Sequence, residues 1–297
     1  MIRKAVLPVA GLGTRCLPAS KAIPKEMMTV VDRPVIQWVV EEAIASGITE
    51  IILVTHSAKK AIEDHFDVHY ELETELEKRG KTDALKALRE LLPDSVRVIS
   101  VRQGRALGLG HAILCAKAVV GDEPFAVLLP DVLVAAEKDQ PQADLKQLCA
   151  RYEGSGKAQI LVDAVPTDQV DQYGIAELMQ GCELARGEGI GLRSVIEKPS
   201  PALAPSNLAV VGRYVLPAEI FSYLEKTRPG AGNEIQLTDA LDALLQSKGA
   251  EAYCMQGRTY DCGNKLGYLR ATLAYARDHA ELGDGFMRLL DEIQRPL

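Results

Sequence analysis

The sequence lacks the patterns that would tie the protein to a zinc cluster, a nucleic-acid polymer or a membrane. Its six cysteines contain no C-x-x-C pair, so we expect neither a metal cluster nor a disulfide framework, and most should be small buried residues. Lys and Arg form no basic stripe and the net charge is -7, so a nucleic-acid polymer is not an expected partner. No segment approaches the ~18 apolar residues of a membrane helix, and the N-terminus does not resemble a signal peptide. We therefore expect a cytoplasmic protein with no membrane partner.

Internal repeats and low-complexity linkers are also absent, and 47% hydrophobic with 25% charged residues is the balance of a chain that buries a core. In the first half, short apolar runs alternate with helical patterns. This alternation predicts an α/β fold with a Rossmann-like, mixed but mostly parallel sheet flanked by helices. We expect a helix that stops at Gly47 and peripheral helices in a polar insert over 57–93. The expected strands cover 5–9, 51–54, 96–101 and 125–129.

Beyond residue 141 the pattern changes to β-type runs separated by turns that contain Gly and Pro. This half is expected to extend the sheet, and the chain from Asn264 onward is expected to be helical. The β-type runs cover 159–165, 174–178 and 208–216.

The first strand is followed by a loop with the composition of a phosphate-binding site. Gly11 and Gly13 let backbone N–H groups approach phosphate oxygens, while Arg15 and Lys25 can neutralise a triphosphate. Two common glycine loops do not match: Cys16 replaces the third glycine of a dinucleotide-binding loop, and no Gly-Lys-Ser/Thr follows as in a P-loop. A further alternative, that the glycines only form a tight turn and the cations are solvated, stays open.

The same region carries a family resemblance. Residues 4–34, with Ala10 to Arg15 and Ala22 to Met27, strongly resemble the bacterial UTP–glucose-1-phosphate uridylyltransferases, and the likeness spans nearly the whole chain. The other matching segments are Leu53 to His56, Val101 to Gly104, Gly108 to His111, Leu129 to Val132, Glu197 to Pro199, Ala204 to Ala209, Glu234 to Ala240 and Asp261 to Lys265. So many ordered motifs are specific to a family, whereas the glycine loop alone would not be.

The resemblance implies a nucleotidyltransferase that uses Mg²⁺ to transfer UMP from UTP to glucose 1-phosphate, with release of pyrophosphate. It implies one domain over 1–297, with a nucleotide-binding half at about 1–135 and a sugar-binding half at about 136–263. A C-terminal helical segment follows at about 264–297. Proteins of this family are typically homodimers or homotetramers.

For the nucleotide, the resemblance makes Arg15 and Lys25 catalytic residues on the triphosphate. The chemistry agrees, because charge that develops on phosphorus and on the departing pyrophosphate must be met by fixed cations. Glu26, Gln103 and Gly108 are assigned to the uracil pocket, although Glu26 and Gln103 taken singly would more often be surface residues. The other nucleotide-binding positions are Ala10, Gly11, Gly13 and Thr14.

For the metal, the resemblance assigns Asp131 and Asp261, and a carboxylate near the end of a strand can hold Mg²⁺ against phosphate oxygens. Taken alone, Asp131 could instead cap the turn after Pro130, and Asp261 could be the N-cap of the last helix. For the sugar phosphate, the assigned residues are Gly174, Glu197, Lys198 and Asn207. Glu197 and Lys198 could equally form an exposed turn.

Three other functions stay open. A thymidylyltransferase is the nearest, since one methyl group on the base is worth only about 1–3 kcal/mol in a pocket. A non-catalytic regulatory paralogue is disfavoured, because such proteins lose the Thr-Arg pair that stands here as Thr14 and Arg15. An NAD-binding oxidoreductase would need the missing third glycine.

Overall fold

A computed structural model describes residues 1–136, 143–179 and 184–294, and most of its strands join one large sheet. In chain order the strands are β1 (Lys4–Pro8), β2 (Thr29–Val30), β3 (Arg33–Pro34), β4 (Glu50–Thr55), β5 (Arg97–Arg102), β6 (Phe125–Leu128), β7 (Val132–Ala135), β8 (Ala158–Ala164), β9 (Gly174–Leu178), β10 (Gly189–Glu197), β11 (Leu208–Leu216), β12 (Ala250–Cys254) and β13 (Arg258–Asp261). β2 pairs with β3, and β7 pairs with β13 in a separate antiparallel ribbon.

The large sheet has the strand order β5-β4-β1-β6-β11-β8-β12-β10-β9. β5, β4, β1 and β6 run parallel, as expected where strands alternate with helices. β11 is antiparallel to both β6 and β8, and β10 is antiparallel to both β12 and β9, so the second half makes the sheet mixed. The predicted α/β fold with a β extension is confirmed.

Helices cover both faces of this sheet, because successive residues of a strand point to opposite sides. Val6 and Ile52 belong to the apolar cluster under the helices at 109–115, 220–224 and 237–248, whereas Leu7 and Leu53 belong to the cluster under those at 35–45, 144–155 and 265–278. The helices are α1 (Val35–Ala45), α2 (Lys60–Phe66), α3 (Tyr70–Lys78), α4 (Thr82–Arg89), α5 (Leu109–Cys115), α6 (Lys117–Val120), α7 (Asp144–Ser155), α8 (Ile220–Leu224), α9 (Leu237–Lys248), α10 (Lys265–Asp278) and α11 (Gly283–Gln294).

The elements predicted for the first half agree closely with the observed ones. The predicted strands correspond to β1, β4, β5 and β6, and the insert over 57–93 contains α2, α3 and α4. Five cysteines are free, and all of them except the half-buried Cys115 are buried, while Cys182 lies outside the described residues. Within the described part of the chain, no helix is both long and apolar enough to span a membrane.

Leu53 tests whether the central strands carry the core. It is 0% exposed in β4, so Leu53→Ala should leave a cavity and lower the free energy of unfolding by about 2–5 kcal/mol. Leu203, which is 76% exposed, is the matched control, and Leu203→Ala should change this free energy by at most about 0.5 kcal/mol. Urea denaturation measures both, and similar losses in the two variants would contradict the assignment of the core.

Candidate active site

The β7–β13 ribbon brings together two aspartates that are distant in the chain. Val132, next to Asp131, pairs with Asp261 in the register of the ribbon. The N–H of Cys262 donates to the carbonyl oxygen of Asp131 at 2.8 Å. The two residues predicted to bind metal therefore lie side by side, just beyond the end of β6.

The Asp261 side chain is oriented by its own loop and does not cap the last helix. Its carboxylate accepts hydrogen bonds from the Gly263 N–H at 2.8 Å and from Asn264 Nδ2 at 3.0 Å. The N-cap of α10 is Asn264, whose side-chain oxygen accepts from the Gly267 N–H at 2.7 Å. The capping interpretation of Asp261 is therefore wrong.

Two cations from the glycine loop contact these carboxylates. Lys25 Nζ lies 2.5 Å from Asp131 Oδ2. Arg15 reaches both aspartates, with Nη2 3.7 Å from Asp131 Oδ2 and Nη1 3.4 Å from Asp261 Oδ2. Burial lowers the pKa of Lys25, but the attraction and the hydrogen bond of Asp131 outweigh burial and raise it overall. Lys25 therefore stays charged at neutral pH, and the 63% exposed Arg15 side chain lies at the mouth of the site.

The glycine loop itself begins after β1. Gly13 has a φ of 67°, in the left-handed region that favours glycine, and starts a short 3₁₀ turn over Thr14–Cys16. Its carbonyl accepts a hydrogen bond from Ser20 Oγ at 2.7 Å. The alternative of a tight turn with solvated cations is thus only partly correct: the turn exists, but the Lys25 side chain is 15% exposed and held by Asp131.

Gly263 lies at the point where these charged groups converge. A Cβ at this position would lie 2.6 Å from Arg15 Nη2, 2.7 Å from Asp131 Oδ2 and 2.8 Å from Asp261 Oδ1. No side chain fits there unless the charged groups move. Gly263 was not predicted as a site residue, and its φ is not positive, so no turn signal marks it.

Two carboxylates that converge on one point fit a divalent cation that is bound together with a substrate. In residues 1–136, 143–179 and 184–294, no group of three or more His, Cys, Asp or Glu side chains could hold a metal. Mg²⁺ usually keeps several waters and binds through one or two carboxylates plus substrate phosphates. The carboxylates of Asp131 and Asp261 fit this coordination preference.

Glu26 follows Lys25 and is 0% exposed, so its interpretation as a surface residue is wrong. Lys59, just after β4, donates from Nζ to Glu26 Oε2 at 2.7 Å and is 4% exposed. The other oxygen, Glu26 Oε1, is buried without a partner among the described residues. An unsatisfied buried acceptor costs about 1–3 kcal/mol, so this oxygen is suited to accept a hydrogen bond from a ligand N–H. Lys59 was not predicted, because a lone lysine after a strand is ordinarily solvated.

Gln103 directly follows β5 and is 8% exposed, so it is not a surface residue either. Its Nε2 lies 3.2 Å from the Gly108 carbonyl oxygen and 3.1 Å from His111 Nδ1. Gly108 has a φ of 93°, and a Cβ there would come within 2.7 Å of Glu234 Cβ. The glycine loop, Lys59 and Gln103 thus follow the carboxyl ends of β1, β4 and β5, where open α/β sheets bind ligands.

On the second half of the sheet, Gly174 in β9 faces Glu197 in β10. A Cβ at Gly174 would lie 3.4 Å from Glu197 Oε2, which also accepts from Thr238 Oγ1 at 2.6 Å. Lys198 has a φ of 44°, and its Nζ lies 3.7 Å from Glu197 Oε1. The carboxylate is therefore held in place, while the Lys198 side chain is 60% exposed and able to reach a ligand.

Asn207 is placed differently from the other residues predicted to bind the sugar phosphate. It is exposed, and its Nδ2 donates to the Val165 carbonyl oxygen at 3.2 Å. Tyr173, which was not predicted, directly precedes Gly174, and its carbonyl oxygen accepts a hydrogen bond from the Lys198 N–H at 2.9 Å. Burial raises the pKa of Tyr173, the negative charge of Asp261 raises it further, and the positive charge of Arg15 opposes the rise.

Known proteins resemble this chain over nearly its whole length. A family model described as Nucleotidyl transferase matches residues 4–278. The UTP–glucose-1-phosphate uridylyltransferase of Escherichia coli (strain K12) is 54% identical over 98% of this chain and 96% of the relative. The protein of the same name from Haemophilus influenzae is 52% identical over 99% of this chain and 100% of the relative. A solved structure of a UTP-bound UGPase from Acinetobacter baumannii is 55% identical, with a TM-score of 0.92 over 99% of this chain and 100% of that chain.

The Lys59–Glu26 pair yields a stability test with an adjacent control. Lys59→Met leaves Glu26 buried without a counter-charge and should lower the free energy of unfolding by about 3–5 kcal/mol. Lys60→Met removes a neighbouring lysine whose side chain is 79% exposed, and should change it by at most about 0.5 kcal/mol. Adding Glu26→Met to Lys59→Met should recover part of the loss. Urea denaturation that shows equal, small losses for both lysines would refute the buried pair.

Proposed function

Because the chain belongs to the nucleotidyl transferase family and, within it, to the UTP–glucose-1-phosphate uridylyltransferases, we propose that the site around Gly263 carries out their reaction. UMP passes from UTP to α-D-glucose 1-phosphate, giving UDP-glucose and pyrophosphate. The observation that carries this assignment to the site is the convergence of Arg15, Asp131 and Asp261 on one point, with Lys25 bound to Asp131.

An oxygen of the sugar phosphate attacks the α-phosphorus of UTP while the bond from that phosphorus to pyrophosphate breaks. Lys25 and Arg15 meet the charge on the phosphate oxygens and on the leaving group. A fixed arginine in phosphoryl transfer contributes ~10³ or more in rate, about 4 kcal/mol of barrier. No general base is required, because a phosphate monoester with a second pKa near ~6 is already ionised at neutral pH.

We assign Mg²⁺ to Asp131 and Asp261. When bound, the ion supplies neutralisation and alignment of the triphosphate oxygens. The chain supplies the orientation of its ligands: the Gly263 N–H and Asn264 Nδ2 hold the Asp261 carboxylate, and Lys25 holds that of Asp131.

The uracil is assigned to Glu26, Gln103 and Gly108, with the backbone of Ala10 and Gly11. A carboxylate can only accept, and the unpartnered Glu26 Oε1 suits the N3–H donor of uracil. Cytosine presents an acceptor at that position and would leave two acceptors facing each other. Thymine has the same N3–H, so this contact alone does not separate UTP from dTTP.

The sugar phosphate is assigned to the second half of the sheet. Glu197 accepts from sugar hydroxyls next to Gly174, Lys198 pairs with the anomeric phosphate, and Asn207 remains a proposed contact. The support for this side is the pairing of Gly174 with Glu197 across β9 and β10, with the Glu197 carboxylate held by Thr238.

We further propose a homodimer or homotetramer. Leu266, Leu269 and Leu273 lie on one face of α10 and are 48–58% exposed, which leaves an apolar strip for a second copy. Light scattering during size-exclusion chromatography measures the assembly, and a mass of 32.2 kDa would show a monomer instead.

The proposed reaction is tested by pyrophosphate release from the purified protein with Mg²⁺. UTP, dTTP, GTP, ATP and CTP are each combined with glucose 1-phosphate and with galactose 1-phosphate. We expect the highest rate with UTP and glucose 1-phosphate, and its loss in EDTA. A dTTP preference would keep the mechanism and change the base, whereas no release with any pair would favour the regulatory paralogue.

Gly263→Ala tests whether the converging charges perform the reaction. The added Cβ must displace Arg15 or an aspartate, and a shift of about 1 Å costs on the order of 10²-fold in rate, so kcat/KM should fall by about that factor. Gly154→Ala is the control, since a Cβ on this residue of α7 meets nothing within 4 Å. Steady-state kinetics together with urea denaturation measure both variants. Full activity in Gly263→Ala would place the chemistry elsewhere.

Lys198→Gln tests the sugar-phosphate side. It keeps a polar, unbranched side chain that is one atom shorter and removes the charge, so KM for glucose 1-phosphate should rise about tenfold or more, as for a lost hydrogen bond to a charged group. KM for UTP should change little. The control is Lys248→Gln, an exposed lysine at the end of α9 that pairs with Glu219. A rise confined to KM for UTP would reassign Lys198 to the nucleotide.

A further inference from the structure

β11 buries an arginine directly beneath the turn that carries Asp131. Arg213 is 0% exposed. Its guanidinium forms a bidentate pair with Glu42 of α1, from Nε to Oε1 at 3.0 Å and from Nη2 to Oε2 at 2.7 Å. The Glu42 side chain is 9% exposed, so both charges are removed from water.

Two further N–H groups of Arg213 donate to the backbone on either side of Asp131. Nη1 donates to the Leu129 carbonyl oxygen at 3.1 Å, and Nη2 donates to the Val132 carbonyl oxygen at 2.7 Å. Leu129 precedes Asp131 by two residues and Val132 follows it directly. One rigid guanidinium therefore spans the whole turn, which the planar fork of arginine can do and the single ammonium of lysine cannot.

Gly212, which precedes Arg213 in β11, contacts the same turn through Leu129. The Leu129 N–H donates to the Gly212 carbonyl oxygen at 2.9 Å. Gly212 has a φ of 91°, and a Cβ there would lie 2.6 Å from Leu129 Cδ1. Two consecutive residues of β11 thus fix the backbone of the Asp131 turn.

A buried ion pair is weak support for stability, because apolar residues of similar volume often replace one without loss. Here the buried guanidinium of Arg213 fixes the position of backbone carbonyl groups. Glu42 compensates the guanidinium and sets its plane, and the guanidinium then sets the two carbonyls that bracket Asp131. Removal of a group that orients a metal ligand typically lowers metal affinity or activity by about 10–100-fold.

We propose that Arg213, oriented by Glu42, is the positioning residue that holds the Asp131 carboxylate at the metal and triphosphate. This inference rests on the proposed function of the site. Arg213 touches no substrate, so its loss acts through Asp131 and leaves the uracil and sugar contacts in place.

Arg213→Lys keeps the charge and loses the fork, and Glu42→Gln keeps the shape and one acceptor as the milder variant. We expect the Mg²⁺ concentration for half-maximal activity to rise about tenfold or more in both variants, with kcat lowered and KM for glucose 1-phosphate nearly unchanged. Hydrogen exchange, followed by mass spectrometry without metal or substrate, should be faster over 129–135 and 258–264 than in the parent protein.

The control is Arg151→Lys. Arg151 lies in α7, and its Nη2 is 2.9 Å from Oε2 of Glu251 in β12, a strand that β8 separates from β11. This variant should leave the Mg²⁺ dependence unchanged even where it lowers stability. An unchanged Mg²⁺ requirement and unchanged exchange in Arg213→Lys and Glu42→Gln would overturn the inference. Failure of the parent protein to form UDP-glucose would instead overturn the proposed function, and the exchange measurement would still report on the turn.

Discussion

The site depends on the compensation of two neighbouring carboxylates. The β7–β13 ribbon places Asp131 beside Asp261. The two carboxylates repel each other, and nearby cations are needed to offset this repulsion. Lys25 and Arg15 supply those cations from the glycine loop. Under the proposed function, the same two side chains also neutralise the oxygens of the triphosphate.

Compensated charge also shapes the other parts of the site. Glu26 is buried against Lys59, and Glu42 is buried against Arg213. Each pair leaves hydrogen-bonding atoms that the pair itself does not use. Glu26 Oε1 has no partner among the described residues, and N–H groups of Arg213 donate to the backbone of the Asp131 turn. The buried pairs therefore set directions for neighbouring groups in addition to filling space.

The sequence predicted what local periodicity and short motifs encode. β1, β4, β5 and β6 alternate with helical patterns, and the apolar runs of β1, β4 and β6 are buried, so these strands can be predicted without tertiary information. The ribbon was not predicted, because β7 and β13 are four residues each and meet only through the fold. The family, the enzyme class and the reaction were predicted from ordered motifs and are confirmed by relatives that are more than 50% identical.

Individual roles were harder to predict where the decisive contact is distant in sequence. Asp261 precedes a helix and has the residue type of an N-cap, but Asn264 takes that role. Lys59 and Arg213 look like ordinary charged residues until Glu26 and the Asp131 turn come into contact with them. Gly263 has no unusual φ, so only the three-dimensional crowding around it reveals why a side chain is excluded.

The position of β11 in the sheet bears on whether the chain can be divided. β6, the last strand before the ribbon, pairs with β1 on one side and with β11 on the other, and all four of its residues are buried. A fragment that ends at residue 135 would leave one edge of β6 uncovered and apolar. Such an edge is a template for strand pairing with other chains, so the isolated fragment would be prone to aggregation. The first half of the chain therefore needs β11, a strand of the second half, to cover the edge of its own sheet.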